Sequence, residues 1–235
     1  MDFDRFVFAS PYRDWLYRGV AMTVIISLVS AVVATVIAFA VLRCRMSSRR
    51  WLRVVGAAYV MIFRNLPLVP LLLFVTFGLP GLYRQVTGVP FPRDLELYLV
   101  MLGLSLNTGA YLAEILRAGV EWVPRQQLEA ARVLGLSARA IRRRILYPQA
   151  LRVTAPALAT RFIHNTKNST LALVIPLPLG SMEILGQAGR IAGQTFSWAE
   201  PLIAAACVHL ALALILGRLL NVWATREQRR VVAAG

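Results

Sequence analysis

The chain is short of the residues on which most enzymes and small secreted domains are built. Its two cysteines, Cys44 and Cys207, lie far apart in sequence, so neither a disulfide framework nor a cysteine metal site is indicated. It has a single lysine, Lys167, and only 11 acidic residues against 26 basic ones. No Gly-x-x-x-x-Gly-Lys-Ser/Thr run is present, so the chain has no phosphate-binding loop of its own. His-Glu-x-x-His, Gly-x-Ser-x-Gly and paired acidic motifs are missing as well, which leaves no constellation for hydrolysis or bond-making. Internal repeats and low-complexity tracts are also absent. The first apolar run, Gly19–Leu42, is too long for the core of a signal peptide, and no small-residue cleavage site follows it.

What the chain does have is apolar length. Of its 235 residues 58% are hydrophobic, with a mean hydropathy of +0.62, which fits an integral membrane protein. The apolar runs are continuous rather than alternating, so an all-α membrane protein is expected and not a barrel. A net charge of +15 in a soluble protein would point to nucleic acid. Here the arginines cluster between apolar runs, and the simpler cause is the excess of basic residues in cytoplasmic loops, with no nucleic-acid partner.

Five spans are expected, at about Gly19–Leu42, Val54–Leu79, Leu97–Ala118, Val153–Ile175 and Trp198–Trp223. Arg43, Arg45, Arg49, Arg50 and Arg53 place the first connection in the cytoplasm and the N-terminus outside. Five crossings then put the long basic loop and the tail with Arg226, Arg229 and Arg230 on that same inner side. The organisation expected is an outer interfacial segment at 1–18, a membrane domain at 19–225 containing a cytoplasmic loop at 119–150, and a cytoplasmic tail at 226–235. Residues 80–96 and 177–197 are read as outer loops, the second with a short helix.

Polar residues inside a bilayer are costly, and by default they mark function. The second span centres on Arg64, Asn65 and Pro67, the third on Asn107 and Thr108, and the fourth on Arg161, His164, Asn165 and Asn168. Arg161, Asn165 and Asn168 fall at i, i+4 and i+7, on one helical face. The similar depth of these groups predicts a shared polar cavity, whose basic groups and amides suit the carboxylate of a small solute. Pro67 also frees backbone carbonyls for water or a solute ammonium. A structural reading stands beside this one. Arg64 can pair with helix carbonyls or Glu114, His164 can bond across helices, and Lys167 and Asn168 can end the helix near an interface. Glu114 and Arg117 are spaced for an i,i+3 pair.

Residues 121–152 are neither apolar nor a tight turn. A helical run opens at Glu129, Ala130 and Ala131, and Gly135 is placed to stop it in the left-handed conformation. Ser137 can cap a second helix from Ala138, and Pro148 marks the approach to the next span. On composition alone this is a basic loop that holds orientation by its charge.

The spacing says more. Glu129-Ala130-Ala131, glycine at plus six, Leu136 after it, and Ile145-x-x-Pro148 from plus sixteen resemble the EAA loop of ABC-importer permeases. Tyr147 stands where that family usually has leucine. Phe63-Arg64-Asn65-Leu66-Pro67-Leu68, Ala110–Gly119 and Lys167-Asn168-Ser169-Thr170-Leu171-Ala172 resemble segments of the polar amino-acid group of these permeases, in the family's order. Gln126 and Pro176 depart from it, each standing where glycine is usual. The resemblance implies a type I importer permease fold in the bacterial inner membrane. It implies that Glu129, Ala130, Ala131, Gly135, Leu136, Ile145 and Pro148 form coupling helices seated on a separate ATPase dimer, which holds ATP and Mg. It further implies a second permease chain, identical or paralogous, an extracytoplasmic solute-binding protein, and a polar amino acid as cargo. No cofactor or metal is expected on this chain, and it is not itself an enzyme. The competing class is a stand-alone secondary transporter or channel, which would explain the mid-membrane polar residues but not the structured loop.

Overall fold

A computed structural model describes residues 10–92 and 95–232, with backbone alone for 228–232. The aromatic and charged residues at 1–9, and the side chains of Arg229 and Arg230, lie outside the described residues. Among those described there is no strand. The helices are α1 (Tyr12–Arg45), α2 (Arg50–Asn65), α3 (Leu68–Thr87), α4 (Glu96–Trp122), α5 (Arg125–Val133), α6 (Ala138–Ile141), α7 (Tyr147–Asn168), α8 (Ile184–Thr195) and α9 (Ala199–Val232).

α4 is the centre of the bundle. It packs along α1 on one side and α7 on the other, α2 and α3 lean on it, and α9 lies outside on α7. α8 lies across one end, against α1 and α9. The faces follow the logic of lipid rather than of water, with small and hydroxylated residues inward and large apolar ones outward. On α1 the buried stripe is Gly19, Thr23, Ser27, Ser30, Ala34 and Ala38. Its hydroxyls bond carbonyls four residues back, Ser27 Oγ to Thr23 O at 2.7 Å and Ser30 Oγ to Ile26 O at 2.6 Å. A Cβ added to Gly109 on α4 would stand 3.1 Å from Ala34 O, so these two helices meet almost backbone to backbone.

Among the described residues four helices, α1, α3, α4 and α9 as far as Glu227, are long and apolar enough to cross a membrane. The expected fourth span is the 22-residue α7, which has the length but not the apolarity, because its polar residues are turned onto α1 and α4. The second span differs from expectation. It is not one helix over Val54–Leu79. It breaks at Leu66, whose backbone is extended (ψ 128°) before Pro67, and the helix beyond runs on to Thr87. The outer loop expected at 80–96 is therefore mostly helix, ending at Gly88 with φ +73°. Two more boundaries move. Residues 12–18 are the opening turns of α1 rather than a separate segment, and the tail beyond Arg226 continues α9.

Pro148 stands in the first turn of α7, marking the approach to the next span as expected, but the helix is not broken before it. A π-helical segment, Arg142–Leu146, joins α6 to α7, and Tyr147 N–H bonds Arg142 O five residues back. The wider turn removes the clash between the proline ring and the carbonyl four residues before it. The same device recurs in α3, where a π segment at Phe74–Gly78 stands two residues before Pro80. Residues 138–168 thus form one unbroken rod of roughly 45 Å at 1.5 Å per residue.

Candidate functional site

At the arginine-rich end the loop is two helices joined by a sharp stop. Gly135, with φ +78°, closes α5 in a Schellman arrangement: Gly135 N–H bonds Arg132 O at 2.9 Å, and Leu136 N–H bonds Ala131 O at 3.1 Å. Ser137 Oγ accepts from Ala140 N–H at 3.3 Å and starts α6, as its spacing predicts. Gln149 Nε2 donates to Gln127 Oε1 at 2.9 Å and ties α5 to the base of α7. Of the loop residues singled out by spacing, Ala131 is buried, Leu136, Ile145 and Pro148 are half-buried, and Glu129, Ala130 and Gly135 face solvent. Val133 and Leu134 were not among them, yet they are 88% and 80% exposed at the tip of α5. Their apolarity amid charge was the signal available in the sequence.

Beneath the loop, Glu114 pairs with both Arg45 and Arg117, and Arg117 pairs in turn with Glu121. The i,i+3 pair is present as spaced. Glu114 is thereby engaged and does not meet Arg64.

Deeper in the bundle a polar belt crosses four helices at one level. Pro67 has no N–H, so Phe63 O lacks its helical partner, and Asn107 Nδ2 donates to that oxygen at 2.8 Å. Tyr111 Oη donates to Arg64 O at 3.2 Å. The carbonyls freed by Pro67, expected to await solute or water, are therefore taken by α4 side chains. Asn107 Oδ1 accepts from Arg161 Nη2 at 2.6 Å. Thr108 Oγ1 donates to Asn165 Oδ1 at 2.8 Å, and Asn165 Nδ2 reaches Ser30 Oγ at 2.9 Å and Ser27 O at 3.0 Å on α1. Arg161 Nε is buried without a partner among the described residues.

This arrangement divides the expected cavity lining. Asn107, Thr108 and Asn165 are buried and bonded, so they hold helices together and do not line a space. Arg64, Asn65 and His164 are exposed, Pro67 stands exposed at the break, Asn168 is half-buried, and Asn65 bonds its own helix at Met61 O. Tyr111, which the sequence reading passed over, joins the two groups: the guanidinium carbons of Arg161 and Arg64 lie 3.9 and 5.2 Å from its ring centre. Among the described residues no group of three or more His, Cys, Asp or Glu is gathered to hold a metal.

At the opposite end Glu183 caps α8, its carboxylate accepting from Leu185 and Gly186 N–H, each at 2.8 Å. Ile184 N–H bonds Thr23 Oγ1 at 3.1 Å, and the backbone of Ile184 sits against Gly19. Burial pushes the Glu183 carboxyl from the ordinary 4.5 up to about 7, against the two N–H bonds that favour its ionised form. Between these values the folded chain keeps a proton that the unfolded chain has lost, so stability falls as pH rises across that interval. Glu183→Gln is expected to flatten this slope in thermal melts from pH 4.5 to 7.5. An unchanged slope would place the titration elsewhere.

One helix, α7, thus carries both the base of the arginine-rich loop and one side of the polar belt. Residues 31–229 match the family described as binding-protein-dependent transport system inner membrane component, and the chain belongs to that family. It is 35% identical over 221 residues to the octopine transport system permease protein OccM of Rhizobium meliloti, covering 92% of this chain and 87% of that one. It is 33% identical over 206 residues to the arginine transport system permease protein ArtQ of Bacillus subtilis, covering 88% and 89%. The structure overlays that of an amino acid ABC transporter with histidines at TM-score 0.80, 28% identity, and 94% and 98% coverage. An inward-facing MetNI methionine transporter, at 23% identity and TM-score 0.69, shares the fold. The chain is therefore a multi-pass, inner-membrane permease component of an ABC transporter. A stand-alone transporter or channel loses its support, since the family serves binding-protein-dependent systems.

Proposed function

We propose that the chain forms half of the path of an ATP-driven importer for a polar amino acid. Its loop sits in the cytoplasm against an ATPase dimer that holds ATP and Mg, and its N-terminus lies outside. A second permease chain, copy or paralogue, completes the path, and an extracytoplasmic binding protein delivers the solute.

One observation carries this reading. The helix at 138–168 begins beside the loop and ends in the belt, continuous through the π segment at Arg142–Leu146 and through Pro156, so a push on α5 and α6 has one hydrogen-bonded path to Arg161 and Asn165. The ATPase closes on nucleotide, the rod tilts, and the belt's bonds to α1 and α4 trade partners. Arg64, Tyr111 and Arg161 present cationic and hydroxyl groups at the level of the Pro67 break, suited to an α-carboxylate. A buried unpaired donor costs about 1–3 kcal/mol, so a carboxylate reaching Arg161 Nε would remove a standing penalty. The relatives named for octopine, arginine and putative glutamine transport all carry an α-amino-acid unit in their cargo, which supports the class.

The test is uptake of labelled amino acids into vesicles holding the chain with its co-purifying subunits. Uptake is expected to require ATP, and on the opposite side the binding protein. Uptake driven by an ion gradient without ATP would overturn the reading.

A further inference from the structure

We propose that a groove between the inner end of α1 and the rod holds the phosphate headgroup of an anionic phospholipid from the inner leaflet, with an acyl chain along α1. The inner-leaflet assignment rests on the cytoplasmic placement of the loop given above. The groove has a volume of about 1030 Å3. Its floor carries Arg43 of α1 and Arg139, Arg142 and Arg143 of the rod, and its upper wall carries Val36 and Phe39. Among the described residues no acidic one lines it.

Charge is the first argument. None of these four arginines has a hydrogen-bond or ion-pair partner for its side chain among the described residues. The chain has few acids to offer at this end, and most are engaged: Glu114 with Arg45 and Arg117, Glu121 with Arg117, and Glu227 with Arg152. All four are exposed, so a counter-anion that binds them comes from outside the described chain. A second copy brings the same engaged acids, so it supplies little that would neutralise four guanidinium groups.

Depth is the second argument. Phe39 and Arg43 are one turn apart on α1, about 6 Å in rise, so the groove passes from apolar to cationic within that distance. A soluble ATPase can meet the floor but cannot follow the wall into the hydrocarbon. Above the wall, Leu28, Val32 and Val36 stand at i, i+4 and i+8, exposed by 60, 64 and 65%. They form a straight apolar track that leads down to the arginines. Basic pockets between helices on the cytoplasmic side are suited to anionic headgroups, and guanidinium pairs with phosphate in two-point fashion. A headgroup here would bridge α1 and the rod, and so bias the lever's position.

The experiment uses the purified chain with the subunits that accompany it, exchanged into mixed phosphatidylglycerol and phosphatidylcholine, washed, and analysed for retained lipid by mass spectrometry. Phosphatidylglycerol is expected to be retained about tenfold over phosphatidylcholine. The variant R139Q/R142Q/R143Q is expected to lose that preference, while Arg84→Gln, on exposed α3, keeps it. Millimolar inorganic phosphate is expected not to displace the lipid. Equal retention of both lipids, an unaffected triple variant, or displacement by inorganic phosphate would each overturn the proposal. So would a triple variant that keeps the lipid but fails to pair with a second permease chain on size exclusion. The readout needs no ATP, so retained phosphatidylglycerol without uptake would count against the transport reading alone.

Discussion

Gly135→Val is expected to abolish ATP-driven uptake while leaving the chain inserted and the partner ATPase free-running. Gly135 has φ +78°, a conformation that costs an ordinary L residue about 1–2 kcal/mol and a β-branched one more. A Cβ there meets nothing within 4 Å, so the penalty is one of backbone conformation and not of collision. The damage is therefore local. The bonds from Gly135 and Leu136 to α5 are lost, the angle between α5 and α6 is no longer fixed, and the exposed Val133 and Leu134 are displaced. Reversing the charge of exposed Glu129 by Glu129→Lys should uncouple in the same way without unfolding the stop. Paired assays of uptake and ATP hydrolysis in vesicles separate the outcomes. Coupled transport at the normal ratio in both variants would rule the loop out as the lever.

Gly119→Val is expected to have the largest effect on stability. The first Cβ atom at Gly119 would lie 2.5 Å from Thr154 Cγ2 and 2.8 Å from Ala150 O. The second of these is backbone of α7 and cannot rotate away, so the two helices must part where α4 hands over to the loop. Overpacking of this kind costs about 1–3 kcal/mol or more. The separation would also strain the Gln127–Gln149 tie. Melting of purified protein in detergent should show a fall of several degrees for Gly119→Val. For Gly81→Ala, at a glycine on α3 whose added Cβ meets nothing, it should show little change. Equal melting temperatures would mean that α4 and α7 do not cross as tightly as the structure has them.

The loop was legible because its signals are local. Gly135 and Ser137 act within a few residues of themselves, and both do in the structure what their chemistry predicts. Pro148 marked the start of α7 but not that helix also precedes it. Proline normally stops the helix before it, and the π turn that lets it pass depends on hydrogen bonds five residues apart, with no residue type that marks them. The extension of α3 to Thr87 was hidden by Pro80 in the same way.

The polar belt was half legible. Its depth could be read from span centres, and the shared face of Arg161 and Asn165 from their spacing. Which of its members are consumed in helix-to-helix bonds could not be, because the partners of Asn107 and Asn165 are 44 and 138 residues away in sequence. Ser27 and Ser30 carried no signal on their own in an apolar helix. They acquire a role only when Asn165 arrives opposite them.

The account stands on the loop being a lever seated on a cytoplasmic ATPase, and cross-linking from its tip tests that most directly. With Cys44 and Cys207 replaced by serine, Val133→Cys would carry the only thiol, on a side chain position that is 88% exposed. A bifunctional maleimide applied to inside-out vesicles should join it to the ATPase subunit, at a yield that changes when nucleotide is added. Absence of any ATPase adduct, with the thiol modified instead by an impermeant maleimide added to intact cells, would contradict the account.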